Sequence, residues 1–426
     1  MRFLIVAQGS YGDINPSVGV ALGLKQRGHE VVFIASEYFE PLASRVGLEL
    51  VSIMSREDYL RITSHPDFAH PLKTWKLLGR ELVLAGIRPV YHAIDERYEP
   101  GNTVVLAPSI ALGARIAHDK LGVPFATMNV FPQWLRTVHE PLAMSPDLHR
   151  RLPPFARKAF RSLADWVIDK AISADTNAFR SQLGLQPVRP MRDQWLQSPR
   201  LIIGLFPPWF VTHQPDWPAS VHLTGFSMFD GSSGEPLTPE VERFLAAGPP
   251  PVVVNVFSAL QQSTGFFETS IAALRSINRR GILLTPFAGG VPKNLPPDMG
   301  FFGYVPHSAL LRRTAGIIHQ GGIGTCAQAL AAGIPQLVVP FTFDQPFNAR
   351  RLYGLGVSAT LQLREYQSGR VARELDGLLN SEPVRRNCAE YASVMNREDG
   401  DAAACDLIEQ TFVATTRPSA QELRVV

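Results

Sequence analysis

The chain has 426 residues, more than one ordinary core holds, so two domains are expected. Its apolar share of 45% suits a soluble globular protein, and 41 Lys and Arg against 38 Asp and Glu exclude the basic excess of a nucleic-acid protein. Three cysteines without CxxC spacing, Cys326, Cys388 and Cys405, argue against a disulfide framework or a zinc site and fit a reducing cytoplasm.

The apolar run Phe3–Ala7 reads as a parallel strand covered on both faces, and it is too short for a signal-peptide core. The loop Gly9-Ser10-Tyr11-Gly12-Asp13 follows. Asn15 is a fitting helix cap ahead of Pro16, and Arg27-Gly28 is a fitting helix end. Val31–Ile34 is the next strand, with further strands at Val104–Leu106 and Phe125–Met128. This alternation predicts a doubly wound α/β domain. Between Trp134 and Gln197 the pattern turns helical, with Arg150, Arg151, Arg157, Lys158 and Arg161 among Phe155, Phe160, Leu163 and Trp166.

A loop run over Phe229–Pro239 and the triplet Pro249–Pro251 mark a linker, placed at 229–250. The alternation then restarts, with strands expected at Val252–Val256, Ile282–Thr285, Gly316–His319 and Gln336–Val339 and a helix over Thr325–Ala332. The domain reading is therefore 1–228, then the linker, then 251–400, with 401–426 as a C-terminal helix and tail returning to the first domain. No run approaches the roughly 18 apolar residues of a membrane span.

Two motifs carry chemistry. Gly316–Thr325 runs from strand through a glycine-rich loop straight into a helix, with His319 at the strand end. Glycines let a ligand approach the backbone, and a helix N-terminus supplies unpaired N–H groups and partial positive charge, which suits a diphosphate. A plain strand–helix turn would also use glycines. The second motif, Pro340 to Asn348 with Asp344-Gln345, follows the next strand and shares the sheet edge where ligands bind in open α/β folds. An acid beside an amide suits vicinal hydroxyls, although taken alone the pair reads as an ordinary helix cap.

Together, His319-x-Gly-Gly-x-Gly324-Thr325, Pro340 and Asp344-Gln345 resemble the donor signature of family 1 glycosyltransferases. Gly9-Ser10-x-Gly12-Asp13-x-x-Pro16 and Arg27-Gly28-His29 resemble the opening of their bacterial antibiotic- and lipid-glycosylating branch. Leu112–His118, Gln194-Trp195, Leu205–Pro207, Asp216–Pro218 and Thr224–Phe226 extend the similarity over nearly the whole chain, which is most like the rhamnosyltransferases of rhamnolipid synthesis. The resemblance implies a GT-B fold, two Rossmann-like doubly wound domains facing across a cleft, with the acceptor on the first domain and the donor on the second.

It also implies an inverting, metal-independent transfer without a resident cofactor, of rhamnose from dTDP-rhamnose to an apolar acceptor such as a 3-hydroxyacyl lipid. Asp13 is then the general base. His319, Gly321, Gly322, Gly324 and Thr325 hold the diphosphate, Asp344 and Gln345 the sugar, and Tyr304 and Val305 the nucleobase. Ser258 lies near the phosphates, where Phe257 stands in place of the family's glycine. Ser10, Tyr11, Phe131 and Trp134 are acceptor candidates, while Phe155, Phe160 and Trp166 fit either a pocket lining or plain core. His29 is read as packing.

The basic segment Arg150–Arg161 fits a solvated helix face, or peripheral contact with the cytoplasmic face of an inner membrane. Three other readings stand beside this one. They are a UDP-glucose-dependent transferase of a polyketide, terpenoid or other natural product; a nucleotide-sugar epimerase; and a non-catalytic GT-B partner, for which only Phe257 speaks.

Overall fold

A computed structural model describes residues 1–70, 73–139, 151–191, 195–232, 234–256, 264–286 and 288–414. Phe257, Ser258, Gln194 and Arg150 lie outside the described residues. The chain divides into two compact units, the first drawn from 1–68, 72–229 and 399–426 and the second mainly from 230–398.

The first unit is built on seven parallel strands: β1 (Arg2–Val6), β2 (Glu30–Ser36), β3 (Glu49–Met54), β4 (Thr103–Ala107), β5 (Phe125–Asn129), β6 (Ile202–Gly204) and β7 (Val221–Leu223). Their order is β3-β2-β1-β4-β5-β6-β7. The apolar run of β1 serves both faces of the sheet. Phe3 and Ile5 enter one core layer with Leu24 and Ile408, and Leu4 and Val6 enter the other with Ile94 and Ile116. Each such buried side chain contributes roughly 1.5–3 kcal/mol.

Helix α1 (Tyr11–Gln26) begins earlier than Asn15 and Pro16 suggest. Its cap is Ser10, whose side chain accepts from the Gly12 N–H, while the Asp13 carboxylate reaches back to the Ser10 N–H in a capping box. Pro16 therefore lies inside the helix, where it forgoes one backbone bond. Two further helices matter for function, α2 (Leu112–Leu121) and the 29-residue α3 (Pro154–Gln182).

The last described helix, Gly400–Ile408, belongs to this first unit and packs on α1. Arg27 bonds Asp406 and Glu409 at 2.6 and 2.5 Å, and His29 bonds Glu409 at 2.8 Å while setting its ring edge-on against Phe3. Gly19, Gly225 and Gly400 make the approach possible. A Cβ on Gly19 would lie 2.4 Å from the Ser227 hydroxyl, and one on Gly400 would lie 2.5 Å from the Phe226 carbonyl.

The second unit holds six parallel strands: β8 (Val252–Asn255), β9 (Gly281–Leu284), β10 (Met299–Phe302), β11 (Gly316–His319), β12 (Gln336–Val338) and β13 (Ser358–Thr360). Their order is β10-β9-β8-β11-β12-β13. Helix α4 (Ile323–Ala332) starts two residues before Thr325 and ends at Gly333, which takes a left-handed conformation. Helix α5 (Gln345–Gly354) follows. Residues Pro239–Ala246, inside the stretch read as linker, form a helix whose Val241 and Leu245 are buried in this unit's core. Apolar residues at a four-residue spacing on a helix fix it to a core rather than leaving it as a free connection.

Candidate functional site

In each sheet the strand order reverses direction at one place, between β1 and β4 in the first unit and between β8 and β11 in the second. Loops leaving the carboxyl ends of those strands border the crevice where open α/β sheets take ligands. The short loop leading into α1, whose first turn carries Asp13, leaves β1, and the glycine loop leaves β11.

Asp13 is fixed by its own helix start. One carboxylate oxygen accepts from the Ser10 N–H at 2.8 Å and from the Ser10 hydroxyl at 3.3 Å. Gly9 makes room for it: a Cβ there would lie 2.2 Å from that oxygen, and its φ of +133° disfavours any side chain. Burial raises the Asp13 pKa to about 7, against the two Ser10 bonds, which pull it down. A carboxyl near neutrality with one oxygen tethered is suited to taking a proton. Close by, Tyr11 meets Phe39 edge-on at 5.1 Å, and Tyr59 stacks on Tyr38 at 4.5 Å.

Phe131 and Trp134 flank a short helical turn after β5, at the same carboxyl edge, and both are half-buried. Gln197 ties this turn to the sheet, donating to the Trp134 carbonyl at 3.0 Å and accepting from Asn129 at 3.3 Å. Phe155, Phe160 and Trp166 on α3 are exposed and lie outside the core. The buried side of α3 is instead taken by Arg161, Asp165, Ile172 and Phe179.

In the second unit His319 is buried and both ring nitrogens are engaged within the chain. Nδ1 accepts the Gly321 N–H at 3.1 Å, so Nε2 carries the proton and donates to Gln336 Oε1 at 3.0 Å. Burial lowers its pKa to about 4, which keeps the ring neutral. A direct bond from His319 to phosphate, expected from the motif, would need one of these partners to be given up. The observed role is to hold the loop. His307, half-buried and also shifted down by desolvation, contacts the Asn255 side chain at 2.8 Å at the end of β8.

The three loop glycines differ in kind. Gly321 has φ +95°, and a Cβ there would lie 2.9 Å from Val338, so the fold itself requires glycine. A Cβ on Gly322 or Gly324 would meet nothing within 4 Å, and neither has a left-handed backbone. Packing does not demand glycine at those two positions. They stand at the start of α4, whose first turn has no side-chain cap, so its leading N–H groups, Thr325 among them, face outward unpaired by side chains.

Asp344 and Gln345 are both buried. Gln345 Oε1 accepts from the Phe341 and Thr342 N–H groups at 2.8 and 3.1 Å, and Asp344 accepts from Asn348 at 2.5 Å. Asn348 also donates to the Gly321 carbonyl at 2.9 Å, stitching the two loops together. Phe343, just before, has φ +58°, an unusual backbone for an aromatic residue and one that clusters at ligand sites. Tyr304 is exposed, its hydroxyl donating to the Asp230 carbonyl at 2.7 Å, whereas the Val305 side chain is buried in core, leaving only its backbone to contact a ligand. Gln336 and His307 lie outside the motifs, and Asn348 closes the second motif without a role being assigned to it. Among the described residues no group of three His, Cys, Asp or Glu is placed to hold a metal ion.

Comparison with known proteins decides the family. The glycosyltransferase family 28 N-terminal domain matches residues 3–140, and the erythromycin biosynthesis protein CIII-like C-terminal domain matches residues 285–402. The chain is 30% identical to the O-mycaminosyltylonolide 6-deoxyallosyltransferase of Streptomyces fradiae, over 99% of both chains. It belongs to the family 1 glycosyltransferases of GT-B fold. The vancomycin aglycone glucosyltransferase of Amycolatopsis orientalis is 27% identical over 96% of this chain and 97% of its own. Among solved structures, the kitacinnamycin glycosyltransferase superposes with TM-score 0.71 at 20% identity, covering 96% of this chain and 99% of its own. The spinosyn rhamnosyltransferase SpnG in complex with thymidine diphosphate superposes with TM-score 0.67 at 19% identity, covering 96% and 100%. This glycosyltransferase is thus a nucleotide-sugar-dependent enzyme of the natural-product type.

Proposed function

We propose that the enzyme transfers a deoxysugar, rhamnose from dTDP-rhamnose, to a hydroxyl of an apolar acceptor such as a 3-hydroxyacyl lipid, with inversion and without a metal. The observation that carries the mechanism is the tethered, near-neutral carboxyl of Asp13. It takes the acceptor's proton as the hydroxyl oxygen attacks the anomeric carbon, and the bond to the nucleotide diphosphate breaks through an oxocarbenium-like state. The charge that develops on the diphosphate is met by the N–H groups at the start of α4, over Gly322 and Gly324. His319 serves there as a positioning residue, holding the Gly321 amide in place. Asp344 contributes its carboxylate to the sugar hydroxyls, held in place by Asn348, while Gln345 shapes the loop beside it. Tyr304 and the Val305 backbone receive the base. Ser10 and Tyr11, with Phe131 and Trp134, border the acceptor's approach in the first unit.

A second reading keeps this chemistry and changes the substrates. Relatives named for O-mycaminosyltylonolide and for vancomycin aglycone favour a polyketide, terpenoid or other natural product as acceptor, with UDP-glucose as donor candidate.

Calorimetric titration with dTDP and UDP, with and without EDTA, tests the donor half. Binding of one nucleotide that EDTA leaves unchanged supports the proposal, and binding of neither overturns the donor site. Asp13→Ala should abolish turnover while leaving nucleotide affinity intact. Turnover retained in that variant would remove Asp13 as the base. Acceptor screening with hydroxyacyl lipids against polyketide aglycones separates the two readings.

A further inference from the structure

Helix α3 turns a strongly apolar face to solvent. Phe155, Leu163, Trp166, Val167 and Phe160 are 76, 58, 57, 53 and 43% exposed. They make up five of the ten large apolar side chains exposed among the described residues, gathered within one segment of α3. At about 100° per residue they share one arc of the helix, opposite the arc of Arg161, Asp165, Ile172 and Phe179 that is buried in the first unit. Single exposed apolar residues are ordinary, but a continuous strip of this kind marks a contact surface.

The charges on the strip and at its N-terminal end are cationic. Lys170 lies within the arc, its ammonium 5.1 Å from the Trp166 ring, and Lys158 is exposed at the strip's N-terminal end, with Arg151 and Arg157 beside it. No carboxylate lies on the arc. Asp165 is turned inward to Arg136 at 2.5 Å, while Asp169 and Asp175 border the strip toward its C-terminal end, one at each margin. Between residues 151 and 164 the exposed Arg151 and Lys158 and the half-exposed Arg157 have no acid beside them in the chain. A surface rich in phosphate would pair them all. Apolar and aromatic residues on one side with Lys and Arg at the margin are the make-up of helices that lie flat in a bilayer interface. No helix of the described residues is long and apolar enough to cross a membrane.

We propose that α3 seats the protein on an anionic lipid surface, Phe155, Leu163 and Trp166 entering the headgroup region while Lys158 and Lys170 pair with lipid phosphates. This goes beyond the donor and acceptor reading and stands without it, because lipid binding is read independently of turnover.

The test is flotation of the full chain with phosphatidylglycerol-containing vesicles and, in parallel, with pure phosphatidylcholine vesicles. The wild type should float with the anionic vesicles, and raised salt should weaken that binding. The triple variant Phe155→Ser, Leu163→Ser, Trp166→Ser should lose on the order of a hundredfold in vesicle affinity, with dTDP or UDP affinity and circular dichroism unchanged. Lys158→Glu with Lys170→Glu should remove the preference for anionic vesicles. Wild-type protein that stays in solution, equal binding to both vesicle types, or undiminished binding by the triple variant would each overturn the proposal. So would a wild-type dimer that the triple variant dissociates, because the strip would then be a subunit contact.

Discussion

Replacing Gly9 with alanine tests whether the position of one carboxylate sets the rate. The new Cβ would fall 2.2 Å from Asp13 Oδ2 and 2.5 Å from its Cγ, so the carboxylate must retreat by about 1 Å to reach ordinary contact. A misplacement of that size costs roughly 100-fold in rate. A side chain at φ +133° adds about 1–3 kcal/mol of backbone strain. The two Ser10 bonds that oppose the burial-raised pKa weaken at the same time, so the pKa of Asp13 climbs further above about 7. The proposed base acts deprotonated, so the inflection of kcat/KM against pH should move to higher pH. The assay is kcat/KM for acceptor over about pH 5 to 9, with nucleotide affinity by calorimetry as the control on folding. Gly9→Ala with wild-type turnover and an unmoved inflection would refute the reasoning, since the tether would then be irrelevant to catalysis.

The wild-type profile itself should rise with pH up to about 7 and then level, because the Asp13 carboxyl must lose its proton to act; a flat profile across that range would exclude Asp13 as the titrating base. Gly324→Val should leave thermal stability almost unchanged, since its Cβ meets no atom within 4 Å, yet weaken nucleotide binding by tenfold or more, about 1.4 kcal/mol. Unaltered affinity by calorimetry would move the phosphate site elsewhere. Asp401 is held mostly out of water beside Ser227, and burial raises its pKa from 3.8 to about 7. The folded state therefore retains a proton that the unfolded state releases, and stability falls as pH rises between those values. Asp401→Asn should be more stable than the wild type by about 2 kcal/mol at pH above 7, with the gap closing in acid, as measured by urea unfolding.

Much of this was legible in the sequence where a residue's role depends on near neighbours. The continuous apolar runs of β1 and β11 announce strands buried on both faces, and the glycine loop announces the start of α4. Edge strands were not announced. β3 is half-exposed, and β13 has only three residues, so neither offers an apolar run. The start of α1 was misjudged because proline at a first helical position is common, whereas here Ser10 and Asp13 close a cap five residues ahead of Asn15. The roles of Asn348 and Gln336 are not legible for another reason. Each is tied to the loop by a bond to a residue 27 or 17 positions away, and no local pattern marks such a bridge. The aromatic residues of α3 have helical spacing whichever side they face; the polar Arg161 and Asp165 take the inside because Thr137 and Arg136 meet them there.

The path of the chain bears on the order in which the enzyme is made. It leaves the first unit near Phe229 and returns to it at Asp399, so the second unit is in effect inserted into the first. During synthesis the 230–398 segment emerges whole and can close its own core, while the first unit, begun earlier, still lacks Ala404, Cys405, Ile408 and Phe412. The unit that carries Asp13 is therefore the last to be completed, and it matures only after the second unit has formed.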